Sequence, residues 1–98
     1  MSTGNAIYEK WNIQRGSTIR FQTNTKPWLP RGSNIVTFEP QFVGTPFTGG
    51  VVNIVDNIVQ QLITCSEDAS LGEHEIRVDL TNTVGEVDHQ SFILLVSE

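Results

Sequence analysis

The stretch EHEIRVDLTNTVGEVDHQSFILLV, from Glu73 to Val96, constrains the fold more than any other part of the chain. Ile76, Val78 and Leu80 fall on one parity; Glu75, Arg77 and Asp79 fall on the other. Alternation with period two marks a strand with one dry and one wet face. Turn residues follow over Asn82–Gly85, and the chain then enters a second run. Glu73–Leu80, the turn and Glu86–Val96 therefore predict a β-hairpin, with Leu80 facing Val87. The second strand ends differently. Phe92, Leu94 and Val96 share one parity, Ile93 and Leu95 the other, and all five are apolar. One parity fills a core, and the other needs a cover. A bulge near Gln90–Ser91 with a loop above it would supply one. A partner protein would supply another and would make Ile93 and Leu95 contact residues.

Residue usage extends this reading to the whole chain. Val, Ile and Thr number 29, Ala and Leu only 8. β-branched side chains are stiff at χ1 and suit a pleated surface, whereas a helical domain is rich in Ala and Leu. With 98 residues the chain forms one domain with a core that needs no staples. The lone Cys65 has no partner for an internal disulfide and reads as a small buried hydrophobe. No run approaches the roughly 20 apolar residues of a membrane helix, so no membrane is expected. A net charge of −5 disfavours nucleic acid. Residues 1–49 carry five basic and two acidic side chains; residues 50–98 carry one and nine. This asymmetry either orients docking or is blurred by strands interleaving from both halves.

Along the chain, residues 1–5 read as a loose arm and 6–98 as the domain. Ala6–Ile13, Thr18–Thr23 and Asn34–Phe38 are strand candidates, the last ending before Pro40 with Gln41–Val43 as a continuation. In the second, Ile19 and Phe21 point inward, Arg20 and Gln22 outward. Residues 51–65 fit a helical spacing as well as a strand one. The many β-branched residues and the turn pair Asp56-Asn57 favour two strands, Val51–Val55 and Ile58–Cys65. SEDASLG is a loop, with room for one helical turn capped by Ser66. About seven strands at this spacing give an all-β, antiparallel, immunoglobulin-like sandwich.

Sites of chemistry are sparse. Asp79, Asp88 and His89 lie close along the hairpin, but a cation needs three or more converging ligands, and the polar outer face of a strand explains them without one. No nucleophile elbow and no phosphate-cradling loop is present, so neither enzyme nor cofactor is expected, and no residue is assigned a metal-ligating or catalytic role. The segment KPWLPRG is more distinctive. Trp28 and Leu29 sit between prolines, flanked by Lys26 and Arg31. Such a stiff apolar protrusion is either a lid on the sandwich or a docking loop in which Trp28, Leu29 and Arg31 touch a partner.

Two segments, IQRGSTIRFQ at 13–22 and LGEHEIRVDLTNTVGEVDHQSFILLVSE at 71–98, resemble the immunoglobulin-like β-sandwich modules of tailed-bacteriophage virion proteins. Leu71-Gly72-Glu73-His74 stands where that pattern has Leu-x-Gly-x-Tyr, with His74 at or beside the usual tyrosine. Residues 24–65 do not align to it. The resemblance implies a non-enzymatic structural protein in the virion, made in a host cytoplasm. It would be a capsid decoration or cement protein, or else a tail or baseplate adaptor. Its partners would be a major capsid or other virion protein and further copies of itself in a symmetric homo-oligomer. Extracellular sandwich modules end in a similar way, as in EIRVDLTNTVGEVD. The alternative expectation is therefore a carbohydrate-binding or adhesin-type module.

Overall fold

The computed structural model describes residues 7–98, with side chains from residue 9 onward. The arm expected over residues 1–5 lies outside the described residues. Eight strands form two sheets. β1 (Ile7–Gln14), β8 (Val87–Ser97), β7 (Gly72–Asn82) and β3 (Ile35–Pro40) make the first sheet, in that order. β2 (Thr18–Asn24), β6 (Ile58–Cys65) and β4 (Phe47–Gly49) make the second, and β5 (Asn53–Val55) pairs with the other end of β6. The sheets pack face to face as a sandwich. All pairings are antiparallel except β1 with β8, which run parallel.

The core is the inward parity of both sheets. Phe21 on β2 stacks on Phe92 of β8 with ring centroids 4.4 Å apart, and on Phe38 of β3 at 6.3 Å. Trp11 of β1 tilts onto Phe21 at 5.3 Å. Val59, Ile63, Ile76, Val78, Leu80 and Leu94 fill the remaining volume, each 1% exposed or less. Aromatic pairs at these separations add about 0.5–1.5 kcal/mol beyond their buried area.

The helical spacing of residues 51–65 gives way to a hairpin. Asp56 and Asn57 have φ of 52° and 67°, both left-handed, as a two-residue type I′ turn requires. Asp and Asn tolerate that region better than other side-chain-bearing residues. Val51 and Val52 lie outside the strand, because the backbone steps away from β6 after Gly50, whose N–H still donates to the Leu62 carbonyl, and pairing resumes at Asn53. β3 includes Pro40, which the edge position permits, and Gln41–Val43 does not extend it. The SEDASLG loop forms a turn with no helix; the Ser66 Oγ accepts the Asp68 N–H at 3.1 Å.

The β7–β8 hairpin is where expected, but its register differs by one residue. Thr81 faces Val87, Leu80 faces Asp88 and Asp79 faces His89. The loop is three residues, Thr83–Gly85, closed by the Asn82 N–H to the Glu86 carbonyl at 3.2 Å. The Asn82 Oδ1 accepts the Val84 and Glu86 N–H groups, and Gly85 sits at φ 84°. A four-residue loop would have put Leu80 opposite Val87. One residue fewer changes every partner.

Asn57 ties the sandwich at one end. Its Oδ1 accepts the Ile35 N–H at 2.8 Å, its Nδ2 donates to the Asn34 Oδ1 at 3.0 Å, and its carbonyl accepts from the Thr25 N–H and the Thr25 hydroxyl. Asn57→Ala should therefore lose about 2–4 kcal/mol in chemical denaturation, from an unpaired Ile35 N–H and a strained left-handed alanine. Asn57→Gly should lose less, because only the side-chain bonds go.

Candidate functional site

Trp28 lies in a 3₁₀ turn, Lys26–Trp28, and its ring packs inward, 7% exposed and 6.3 Å from Phe38. The turn is pinned by the Trp28 N–H to the Thr25 carbonyl at 2.9 Å and by the Ser33 hydroxyl to the Pro30 carbonyl at 2.6 Å. Leu29 is half-buried against the core and Arg31 is exposed. Of the two arrangements open for this loop, the geometry is that of a lid. Trp28→Ala should cost about 3–5 kcal/mol in a denaturant titration, as large-to-small core truncations do.

Ile93 and Leu95 face outward on β8, an interior strand between β1 and β7. Ile93 sits between Lys10 and Glu75, Leu95 between Asn12 and Glu73. The Lys10 Nζ reaches the Glu73 Oε2 at 2.9 Å, a diagonal that crosses β8 between the two apolar residues. The stems of such long side chains cover apolar surface while their heads stay wet. Ile93 is 7% exposed and Leu95 half-buried. No bulge interrupts β8 against β7; the irregularity lies in β1, between Ile7 and Lys10.

Further along the same face, Asp79 meets two basic groups. The His89 ring nitrogen lies 2.6 Å from its Oδ1 and the Arg77 Nε 3.1 Å from the same atom. Asp88 points to the opposite face, opposite Leu80. Among the described residues no three His, Cys, Asp or Glu side chains converge as a metal site would require. Burial acts to raise the Asp79 carboxyl, but hydrogen bonds from His89 and Arg77, with their charges, outweigh it and hold the group below its ordinary value. A lowered carboxyl stabilises the fold above the unfolded value and stops doing so as pH falls through the folded one. Stability should thus decline below about pH 4. Asp79→Asn should flatten that limb of a Tm-versus-pH profile.

The outer face of the second sheet has a different chemistry. Of the residues on β2, β4, β5 and β6, Arg20 alone is charged. The ladder sets polar side chains in rows. Thr48, Thr64 and Thr18 lie side by side across three strands, and the Thr18 and Thr64 hydroxyls are 2.8 Å apart. Asn53, Gln60 and Gln22 form a second row, with the Gln60 amide donating to the Gln22 Oε1 at 2.7 Å. Between the rows Arg20 faces Leu62. Where β4 has ended and β5 has not begun, the face opens into a cavity of about 240 Å³ lined by Arg20, Gly50, Val51, Asn53, Gln60 and Leu62, with Gln61 behind.

Gly49 makes room for the Gln61 side chain behind this opening. A Cβ there would lie 2.4 Å from the Gln61 Nε2 and 2.6 Å from the Phe42 ring. Gln61 is buried at 6% exposure, and its Nε2 donates to the Gly50 carbonyl at 2.9 Å, fixing the point where the backbone leaves the sheet. Among the described residues the Arg20 guanidinium has no ion pair. None of the five residues expected at a partner contact lies in this groove. Arg20 and Gln22 read as outward-facing from the sequence, yet nothing marked them as a site. The available signal was that TIRFQTN and IVQQLITC put uncharged polar residues on their wet parity.

No family profile and no curated protein matches the sequence. Among solved structures the fold is similar to the GspB Siglec domain, with a TM-score of 0.52 and 12% identity. The similarity covers 94% of this chain and 55% of that one, so this chain spans about half the length of its structural relative. At that identity the likeness carries the fold alone, and the chain is an immunoglobulin-like β-sandwich. The virion expectation gains no support from these comparisons.

Proposed function

We propose that this chain is a non-enzymatic, adhesin-type binding module that takes a carbohydrate on the outer face of the β2–β6–β4/β5 sheet. The carrying observation is the groove lining. Sugars present hydroxyl groups in fixed directions and C–H faces between them. Arg20, Asn53 and Gln60 offer donors and acceptors for the hydroxyls. Leu62 and Val51, 50% and 82% exposed, offer apolar surface for a ring face. The fold similarity to an adhesin domain supports the same class. Among the described residues no tryptophan or phenylalanine is fully exposed, so recognition here rests on hydrogen bonds more than on ring stacking.

The unpaired guanidinium makes Arg20 the residue on which affinity most depends. On a panel of neutral and carboxylate-bearing saccharides the chain should bind at least one. Arg20→Ala should then weaken that binding tenfold or more, because a charge-assisted hydrogen bond is worth about 1.5–3 kcal/mol. Asn53→Ala should weaken it less, and neither change should move Tm appreciably. Binding to no saccharide, or binding that ignores both substitutions, would defeat the reading.

A further inference from the structure

A sandwich of two open sheets has four edges, and three of them carry devices that discourage strand addition. β1 has a bulge between Ile7 and Lys10, and Glu9 turns inward to meet Trp11 and Thr23. β3 has an irregularity between Ile35 and Thr37, carries Glu39 and ends in Pro40. The β4/β5 edge is two strands of three residues, interrupted at Gly50–Val52. Short strands, bulges, inward charges and prolines are the recognised ways of blunting an edge. Apart from one outward charge, Arg20, β2 has none of them. It is seven residues in unbroken register with β6, without proline or glycine.

The backbone groups on that edge are identifiable. The Thr25 N–H donates to the Asn57 carbonyl and the Cys65 N–H to the Ser17 carbonyl, each directly across the β2–β6 register. Hydrogen-bonded and non-hydrogen-bonded pairs alternate along an antiparallel ladder. Ile19, Phe21 and Thr23 therefore bond to β6. Thr18, Arg20, Gln22 and Asn24 turn their N–H and C=O groups outward, and among the described residues no backbone group meets them.

We propose that this edge pairs with β2 of a second copy, antiparallel about a two-fold axis at Phe21. That register places Arg20 opposite Gln22 of the other copy and Thr18 opposite Asn24. It joins the outward-pointing backbone groups of all four residues and sets no like charges face to face. Centring the axis on Arg20 would put two guanidinium groups together. The first sheet is a poorer surface for self-association, because its strands carry six carboxylates against two basic side chains, Lys10 and Arg77. The β2 pairing makes one continuous sheet and lays the two polar faces side by side. Two grooves would then address one surface, and the effective concentration of the second raises avidity. The pairing itself does not depend on the carbohydrate reading and is read without any saccharide.

Light scattering coupled to size-exclusion chromatography of the 98-residue chain should show a concentration-dependent dimer. Gln22→Glu, which sets a carboxylate opposite each Arg20, should lower the dimer Kd by roughly threefold or more, and Gln22→Lys should raise it by a similar factor. Gln22→Pro removes a donor that points off the edge and should give a folded monomer. If the proline variant does not fold, the opposite signs of the Glu and Lys variants still decide. A monomer at every concentration overturns the proposal, and so does a dimer that all three substitutions leave unchanged.

Discussion

The contact between Phe21 and Phe92 is the one on which the sandwich depends. Among the described residues it is the closest aromatic approach between the sheets, 4.4 Å between centroids, and both rings are fully buried. Phe21 also meets Phe38 and Trp11, so one side chain of the second sheet touches three strands of the first. Trp28 in turn closes over Phe38. The stack fixes which parity of β2 is inward, and that choice sends Thr18, Arg20, Gln22 and Asn24 to the outer face together. The groove is thus a consequence of where one phenylalanine has to be.

The fold was legible where the pattern was local. Alternation in Glu73–Leu80 and the Asp56-Asn57 pair each specify a structure within ten residues, and the structure has both. Pairing between distant segments left no such mark. β1 runs parallel to β8 from the opposite end of the chain, and no hairpin can signal a pairing of that kind. The doubly apolar end of β8 has its explanation in this same pairing: a strand flanked on both sides can be roofed by its neighbours' stems, Lys10 and Glu73 among them. The hairpin register turned on whether Asn82 belongs to the loop or to the strand, and its side chain, capping two N–H groups, places it in the strand. The candidate site was harder still. Glutamines, asparagines and threonines on a wet face look like ordinary solvation until the register brings them into rows.

Charge was sorted by sheet and not by half of the chain. The basic N-terminal half contributes β1 and β3 to one sheet and β2 and β4 to the other, so the asymmetry in the sequence does not survive as two poles. What replaces it is an acidic first sheet and a second sheet whose strands hold one charge, Arg20. A lone cation on a neutral face is weakly screened by neighbours of either sign. It offers an anionic or hydroxyl-rich ligand a single point of orientation, and the two faces differ sharply in potential.

The break between β4 and β5 joins these themes. A continuous strand along that side of β6 would have been a long bare edge, prone to adding further chains. Splitting it into two pieces of three residues blunts the edge and opens the groove in one step. Gln61 holds the split in place, since its amide fixes the Gly50 carbonyl and its bulk requires the missing side chain of Gly49. The Gln61 Oε1 has no hydrogen-bond partner among the described residues, and an unmet buried acceptor costs about 1–3 kcal/mol. A leucine at this position would fill a similar volume without that cost, but it would leave the Gly50 carbonyl without the Gln61 amide. The unmet acceptor thus sits on the same side chain that fixes the Gly50 carbonyl beside the groove.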